Sequence, residues 1–88
     1  MAYDISFRSG FETAFKTLNN EAVSQIQKKL DRVATAEFRS PTDWDYSTWS
    51  GQSNGKYSWG PYRVFVDIVE EENEIVVHEA RHRENLYR

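Results

Sequence analysis

The eight residues Tyr62-Arg63-Val64-Phe65-Val66-Asp67-Ile68-Val69 are mostly β-branched or aromatic and contain neither glycine nor proline. Such a run fits a β-strand and little else. Tyr62, Val64, Val66 and Ile68 fall on one face of it; Arg63, Phe65, Asp67 and Val69 fall on the other. Gly60-Pro61 just before it reads as a tight turn, and Lys56-Tyr57-Ser58-Trp59 as a short strand leading into that turn. On the far side, Glu70, Glu71, Glu72 and Glu74 mark a second turn. A third strand then spans Glu74 to Ala80, with Ile75 and Val77 alternating with Val76 and His78. Connections this short predict an antiparallel meander.

The first half of the chain has two periods. Tyr3, Ile5 and Phe7 alternate with Asp4, Ser6 and Arg8, as in a half-buried strand. Ser9 stands three residues before Glu12, the spacing of a capping box. Phe11, Ala14, Phe15 and Leu18 follow at helical spacing, and Val23, Ile26, Leu30 and Val33 repeat it after Asn19-Asn20, either of which can cap the second helix. Gln25, Lys28, Lys29 and Arg32 take its wet side. Two helices so closely joined predict an antiparallel hairpin. From Glu37 to Gln52 the period dissolves, and Asp43, Trp44, Asp45, Tyr46 and Trp49 suggest a connecting loop held down by its rings. The expected fold is therefore α+β: an N-terminal strand, a helical hairpin, then a three-stranded antiparallel meander, with the helices on one face of the sheet. If Val64 and Val66 meet the helices, Arg63 lies on the open face.

Composition narrows the function. With 88 residues the chain is expected to form one domain, residues 1–88, around one core. It has no cysteine, which excludes disulfides and thiolate metal sites. No apolar run approaches ~20 residues and the N-terminus lacks a secretory pattern, so a cytoplasmic, non-membrane protein is expected. Eleven Lys and Arg face fourteen Asp and Glu, a net charge of −3, whereas nucleic-acid binders usually carry a basic excess. The distribution answers this in part. Arg63, Arg81, Arg83 and Arg88 crowd the C-terminal region while the glutamates cluster in one turn, so a local cationic site can sit in an acidic envelope.

Two motifs, in this order of elements, resemble the RelE/ParE toxin superfamily. Gly60-Pro61-Tyr62-Arg63-Val64-Phe65 is similar to the family's G-x-Y-R-V-hydrophobic strand. His82-Arg83-Glu84-Asn85-Leu86-Tyr87-Arg88 is similar to its H-R-x-x-hydrophobic-Y-R ending, and Gly51 stands where relatives carry Leu-x-Gly. The resemblance covers essentially the whole chain and points to the RelE-type branch, mRNA interferases of type II toxin–antitoxin systems. It implies a cytoplasmic toxin that inhibits translation, an RNA-binding endoribonuclease cutting mRNA on the ribosome without metal or cofactor. The RNA 2′-hydroxyl is then the nucleophile. By position, the resemblance implies Arg63 as phosphate-binding arginine and Lys56 as a catalytic basic residue. It implies a further arginine from Arg81 or Arg83, an acid–base role for His82, and contact of Tyr87 with a base. Ser58 departs from the pattern, since many relatives carry a second basic residue there. Implied partners are a cognate antitoxin, the ribosome and mRNA, with DNA bound only through a toxin–antitoxin complex.

These residue types suit that chemistry. Cleavage by an internal hydroxyl needs a proton acceptor, stabilisation of a dianionic phosphorane, and a proton for the leaving 5′-oxygen. A guanidinium fork matches phosphate oxygens and stays charged, so Arg63 with Arg83 is the expected clamp. Lys56 is the expected base, if neighbouring arginines disfavour its protonated form. His82 or an arginine is the acid, and Tyr87 stacks on a base.

Plainer roles compete. Arg63 can pair with Asp67, its same-face neighbour; His82 can be a surface histidine; Lys56 can serve solubility; Tyr57, Trp59 and Trp49 suit a core or an antitoxin contact. The glutamate run suits a solvated turn, and His78 with His82 lacks a third zinc ligand. At the level of function, the alternatives are a ParE-type toxin that inhibits gyrase and cleaves nothing, or a degenerate, non-toxic binding module.

Overall fold

The computed structural model describes residues 2–85. Strand β1 (Asp4–Phe7) is followed by helices α1 (Phe11–Ala14) and α2 (Asn20–Thr35), then β2 (Tyr46–Thr48), β3 (Gly55–Trp59), β4 (Tyr62–Val69) and β5 (Glu74–His82). The sheet order is β1-β5-β4-β3-β2, antiparallel except for the parallel β1–β5 pair. The expected meander is β3–β4–β5. Two edges were not legible in the sequence. β1 joins the meander as a parallel neighbour of β5, and β2 forms inside the stretch expected to be loop, pairing Tyr46 with Tyr57 and Thr48 with Gly55.

Helix α2 is the piece with a full amphipathic stripe. Asn19 caps it, its Oδ1 accepting from the Ala22 N–H at 2.9 Å. Ala22, Ile26, Leu30, Val33 and Ala34 are buried and belong to or flank one core with Tyr57, Trp59, Val64, Val66, Ile75, Val77 and Ala80. The first arm of the expected hairpin is a single turn, so one long helix does most of the covering. Gly10, not Ser9, is its N-cap, and no side chain caps it, so the expected capping box does not form. What fixes this turn is aromatic packing: Phe7, Phe11 and Phe15 meet edge-on with centroids 5.0–5.6 Å apart. Phe15 N–H closes the last i→i+4 bond, to Phe11, and beyond it the bonds are i→i+3, Lys16 N–H to Thr13 and Leu18 N–H to Phe15. Four helical residues gain too few bonds to propagate without such packing. Among the described residues no helix is long and apolar enough to cross a membrane.

The side chains of β5 carry the decisive irregularity. Phe65 faces Glu79 across the ladder, but the next residue, Val66, faces Val77. His78 is thus an extra residue, a β-bulge. Ile75 and Val77 are buried, and a strict period of two would continue inward through Glu79 and Arg81. The bulge resets the phase: Ala80 is buried, and Glu79 and Arg81 join Phe65 and Arg63 on the other face.

Tyr57 is fully buried and donates its hydroxyl to the Pro41 carbonyl at 2.5 Å, tying the residue 37–45 segment to the core. Burial, with smaller contributions from Tyr46 and Tyr3, pushes its phenol far above the ordinary range, so it remains a donor at any physiological pH. Its ring stacks on Trp59 and meets Tyr46 edge-on. Gly55 allows Tyr46 to approach, because a Cβ there would land on the Tyr46 ring. Gly55→Ala is therefore expected to destabilise the chain by about 1–3 kcal/mol, the usual range for overpacking, read as a lowered midpoint in urea unfolding.

Candidate functional site

The face of the sheet away from α2 carries two cross-strand rows. Ser58, Arg63 and Arg81 form one; Lys56, Phe65 and Glu79 form the next. Residues 49–54 fold back as a rim over this face. The Trp49 ring lies 5.5 Å from Phe65, Gln52 Nε2 donates to Glu79 Oε2 at 3.2 Å, and the Asn54 N–H donates to Asp67 Oδ1 at 2.7 Å. Gly51 permits the fold-back, since a Cβ there would press on the Trp49 indole nitrogen. Between rim and β5 lies a hollow of about 210 Å³ lined by Trp49, Gln52, Phe65, Glu79 and Arg81.

Two arginines stand side by side here, an arrangement that costs energy unless the charges have partners. Arg63 Nη1 donates to the carbonyls of Gly60 at 2.8 Å and Tyr62 at 2.9 Å. The expected alternative, a pair with Asp67, does not form: Asp67 accepts instead from Asn54 and from His78 Nε2, the latter at 2.7 Å. A guanidinium carries five N–H donors, so bonds through Nη1 leave Arg63 able to engage a phosphate. Arg81 Nε donates to Glu79 Oε2 at 2.8 Å; their side chains are 34% and 14% exposed. Lys56 Nζ sits 4.3 Å over the Trp49 ring. That contact fixes the Lys56 side chain against an aromatic wall of the hollow.

His82 and Arg83 follow Arg81 at the end of β5. His82 pairs with Tyr62, not with the arginine row, and the two rings meet edge-on at 5.8 Å. Its Nδ1 accepts from the Glu84 N–H at 3.3 Å. The bulge phase places it on the helix side of the sheet. Arg83 follows the end of β5, opening a 3-10 turn; its N–H donates to the Pro61 carbonyl and its side chain is exposed. Arg81, not Arg83, is thus the cross-strand partner of Arg63. Tyr87 lies outside the described residues. Trp49 is the member sequence reasoning undervalued, and Gln52 and Glu79 were missed. Trp49 is a wall of the hollow, and Tyr57 and Trp59 are core. A larger hollow, about 410 Å³, lies on the helix side, where Lys28, Lys29 and Arg32 overlook Trp59, Pro61 and Tyr62.

The bulge is pinned by the Asp67–His78 bond. Burial alone would raise the Asp67 carboxyl. The Asn54 N–H, the His78 hydrogen bond and charge, and the nearby Arg8 outweigh it, and the pKa is lowered. A carboxyl lowered by folding contributes stability above the unfolded value of about 3.9, and that contribution is lost as the pH falls through the folded value. Asp67→Asn is expected to cost about 1 kcal/mol at pH 7. The gap to the parent should close below about pH 4, as followed by unfolding at a series of pH values.

No protein-family model matches the sequence, and no curated protein sequence matches it either. Solved structures do. The chain superimposes on RelE toxin chains with a TM-score of 0.69 for the RelBE2 toxin–antitoxin complex of Mycobacterium tuberculosis, at 14% identity over 94% of this chain and 93% of that one. It matches the archaeal RelE–RelB complex of Pyrococcus horikoshii at a TM-score of 0.69 and 15% identity, over 97% and 99% of the two chains. The intact Escherichia coli RelBE complex gives a TM-score of 0.54 at 18% identity, over 92% and 96%. The fold is the RelE fold.

Proposed function

We propose that this chain is the toxin of a type II toxin–antitoxin pair and cuts mRNA on the ribosome through attack of a 2′-hydroxyl on the adjacent phosphate. The observation that carries the reading is the cross-strand pairing of Arg63 with Arg81, one row from Lys56, on the sheet face that α2 leaves uncovered. The shared fold and the Tyr62-Arg63-Val64 and His82-Arg83 motifs support it. Three cations within two rows form a field for a phosphodiester and its dianionic phosphorane, and preorganised charge of this kind is often the largest catalytic contribution. Arg63 offers the forked donor, Arg81 a second guanidinium, and Lys56 a fixed ammonium. Trp49 and Phe65 give a base an aromatic wall to rest on. In the step, the 2′-oxygen bonds to phosphorus and the P–O5′ bond breaks, leaving a 2′,3′-cyclic phosphate and a 5′-hydroxyl. His82, Arg83 and Tyr87, which the resemblance implies for the site, remain proposed members of it.

The proposed partner protein is an antitoxin. Each of the RelE chains cited above was solved as a toxin–antitoxin complex. An acidic antitoxin segment laid over Arg63 and Arg81 would neutralise the row and block the phosphate.

The test is a translation reaction programmed with a defined mRNA, with and without ribosomes, in which cut ends are mapped. The wild-type chain is expected to cut within codons when ribosomes are present. Arg63→Ala and Arg81→Ala are each expected to slow cutting about 100-fold or more, the cost of one lost charge-stabilising donor. Intact mRNA with the wild-type chain overturns the reading; DNA damage on expression in cells would instead indicate a gyrase-directed toxin, and neither effect a binding module.

A further inference from the structure

A carboxylate inside a phosphate site is costly, because it repels the ligand that the neighbouring arginines attract. Glu79 is such a carboxylate. It stands opposite Phe65 in the ladder, two residues before Arg81 on the same strand face, and forms part of the wall of the hollow. As an ion pair alone it has little to offer, since a partly exposed pair contributes about 0–1 kcal/mol. Its placement has a second use. The proposed cleavage needs a proton acceptor, and Glu79 is a carboxylate that stands among the cations of this face and lines its hollow.

Resting on the RNA-cleaving reading above, we propose that Glu79 is the general base that takes the proton from the attacking 2′-hydroxyl. The carboxylate is held from one side. Arg81 Nε and Gln52 Nε2 both donate to Oε2, at 2.8 and 3.2 Å. Among the described residues no donor is recorded on Oε1, which leaves that oxygen to receive a third hydrogen. Arg81 orients the base through Nε. Electrons and protons balance in one step. The 2′-O–H proton passes to Glu79 Oε1, the freed oxygen pair forms the O–P bond, and the P–O5′ pair leaves with the 5′-oxygen. That oxygen takes a proton from water or a protonated neighbour, and Glu79 returns its own to solvent. Among the described residues, the charged or titratable groups on this face are Arg81 on β5, Lys56 on β3, Arg63 on β4, and beyond Phe65 the Asp67–His78 pair with Arg8 nearby.

The test compares wild type, Glu79→Gln and Glu79→Asp in the ribosome-programmed cleavage reaction across pH, alongside binding of an uncleavable 2′-deoxy substrate. Gln keeps an oxygen for Arg81 and Gln52 to donate to but accepts no proton. Glu79→Gln is expected to lose about 100-fold or more in rate while binding the 2′-deoxy substrate as well as wild type or better. The acid limb of the pH–rate profile, where a carboxylate base is lost by protonation, is expected in wild type, absent in Glu79→Gln and restored in Glu79→Asp. Wild-type cleavage with an unchanged rate and acid limb in Glu79→Gln overturns the role of Glu79 and leaves the nuclease reading standing. A lowered rate that keeps the acid limb makes Glu79 only a support for Arg81 and also overturns it. A wild-type chain that cuts nothing takes both readings down.

Discussion

The site depends on one extra residue. Because His78 is bulged out of the β4–β5 ladder, Ala80 turns into the core and Arg81 turns out beside Arg63. Without it the period of two set by Ile75 and Val77 would bury Arg81 under α2, where a guanidinium has no place among Ile26, Leu30 and Val33. The bulge also has its own fastening, the Asp67–His78 hydrogen bond, and Asp67 in turn holds the rim through Asn54. One carboxylate thus fixes both the phase of β5 and the loop that walls the hollow.

An acidic protein with a cationic face is then no contradiction. The glutamate turn of residues 70–74 lies at the far end of the β4–β5 hairpin from the Arg63–Arg81 pair, since Val69 faces Glu74 at one end and Tyr62 faces His82 at the other. Net charge describes the long-range field, and the row of Arg63, Arg81 and Lys56 describes the contact surface; at ordinary ionic strength the two are separated by screening over about 8–10 Å. Glu79 is the exception placed inside the row, and its partnership with Arg81 and Gln52 shows that its position is built, not incidental.

Much of the fold was legible because period and capping are local. Val23 to Val33 could only be an amphipathic helix, and Tyr62 to Val69 only a strand. What escaped was set at a distance. β2 is three residues whose strand character comes from pairing with β3, β1 is parallel to a strand some seventy residues later in the chain, and α1 is a single turn held by three phenylalanines that meet only in the tertiary structure. For the site, Arg63 and Lys56 could be assigned to a face by counting. Arg81 and His82 could not, because the bulge exchanges their faces. The signal was present in Val77-His78-Glu79-Ala80, where two small apolar residues stand three apart in a strand that otherwise keeps a period of two.

The central claim is that RNA meets the protein on the face bearing Arg63 and Arg81 and not on the helix side, where Lys28, Lys29 and Arg32 surround a larger hollow. Side-chain NMR of the arginine and lysine N–H groups during titration with a short 2′-O-methyl RNA separates the two directly. Shifts concentrated at Arg63, Arg81 and Lys56, with the Trp49 indole following, are the expected result. Shifts confined to Lys28, Lys29 and Arg32 would contradict the account.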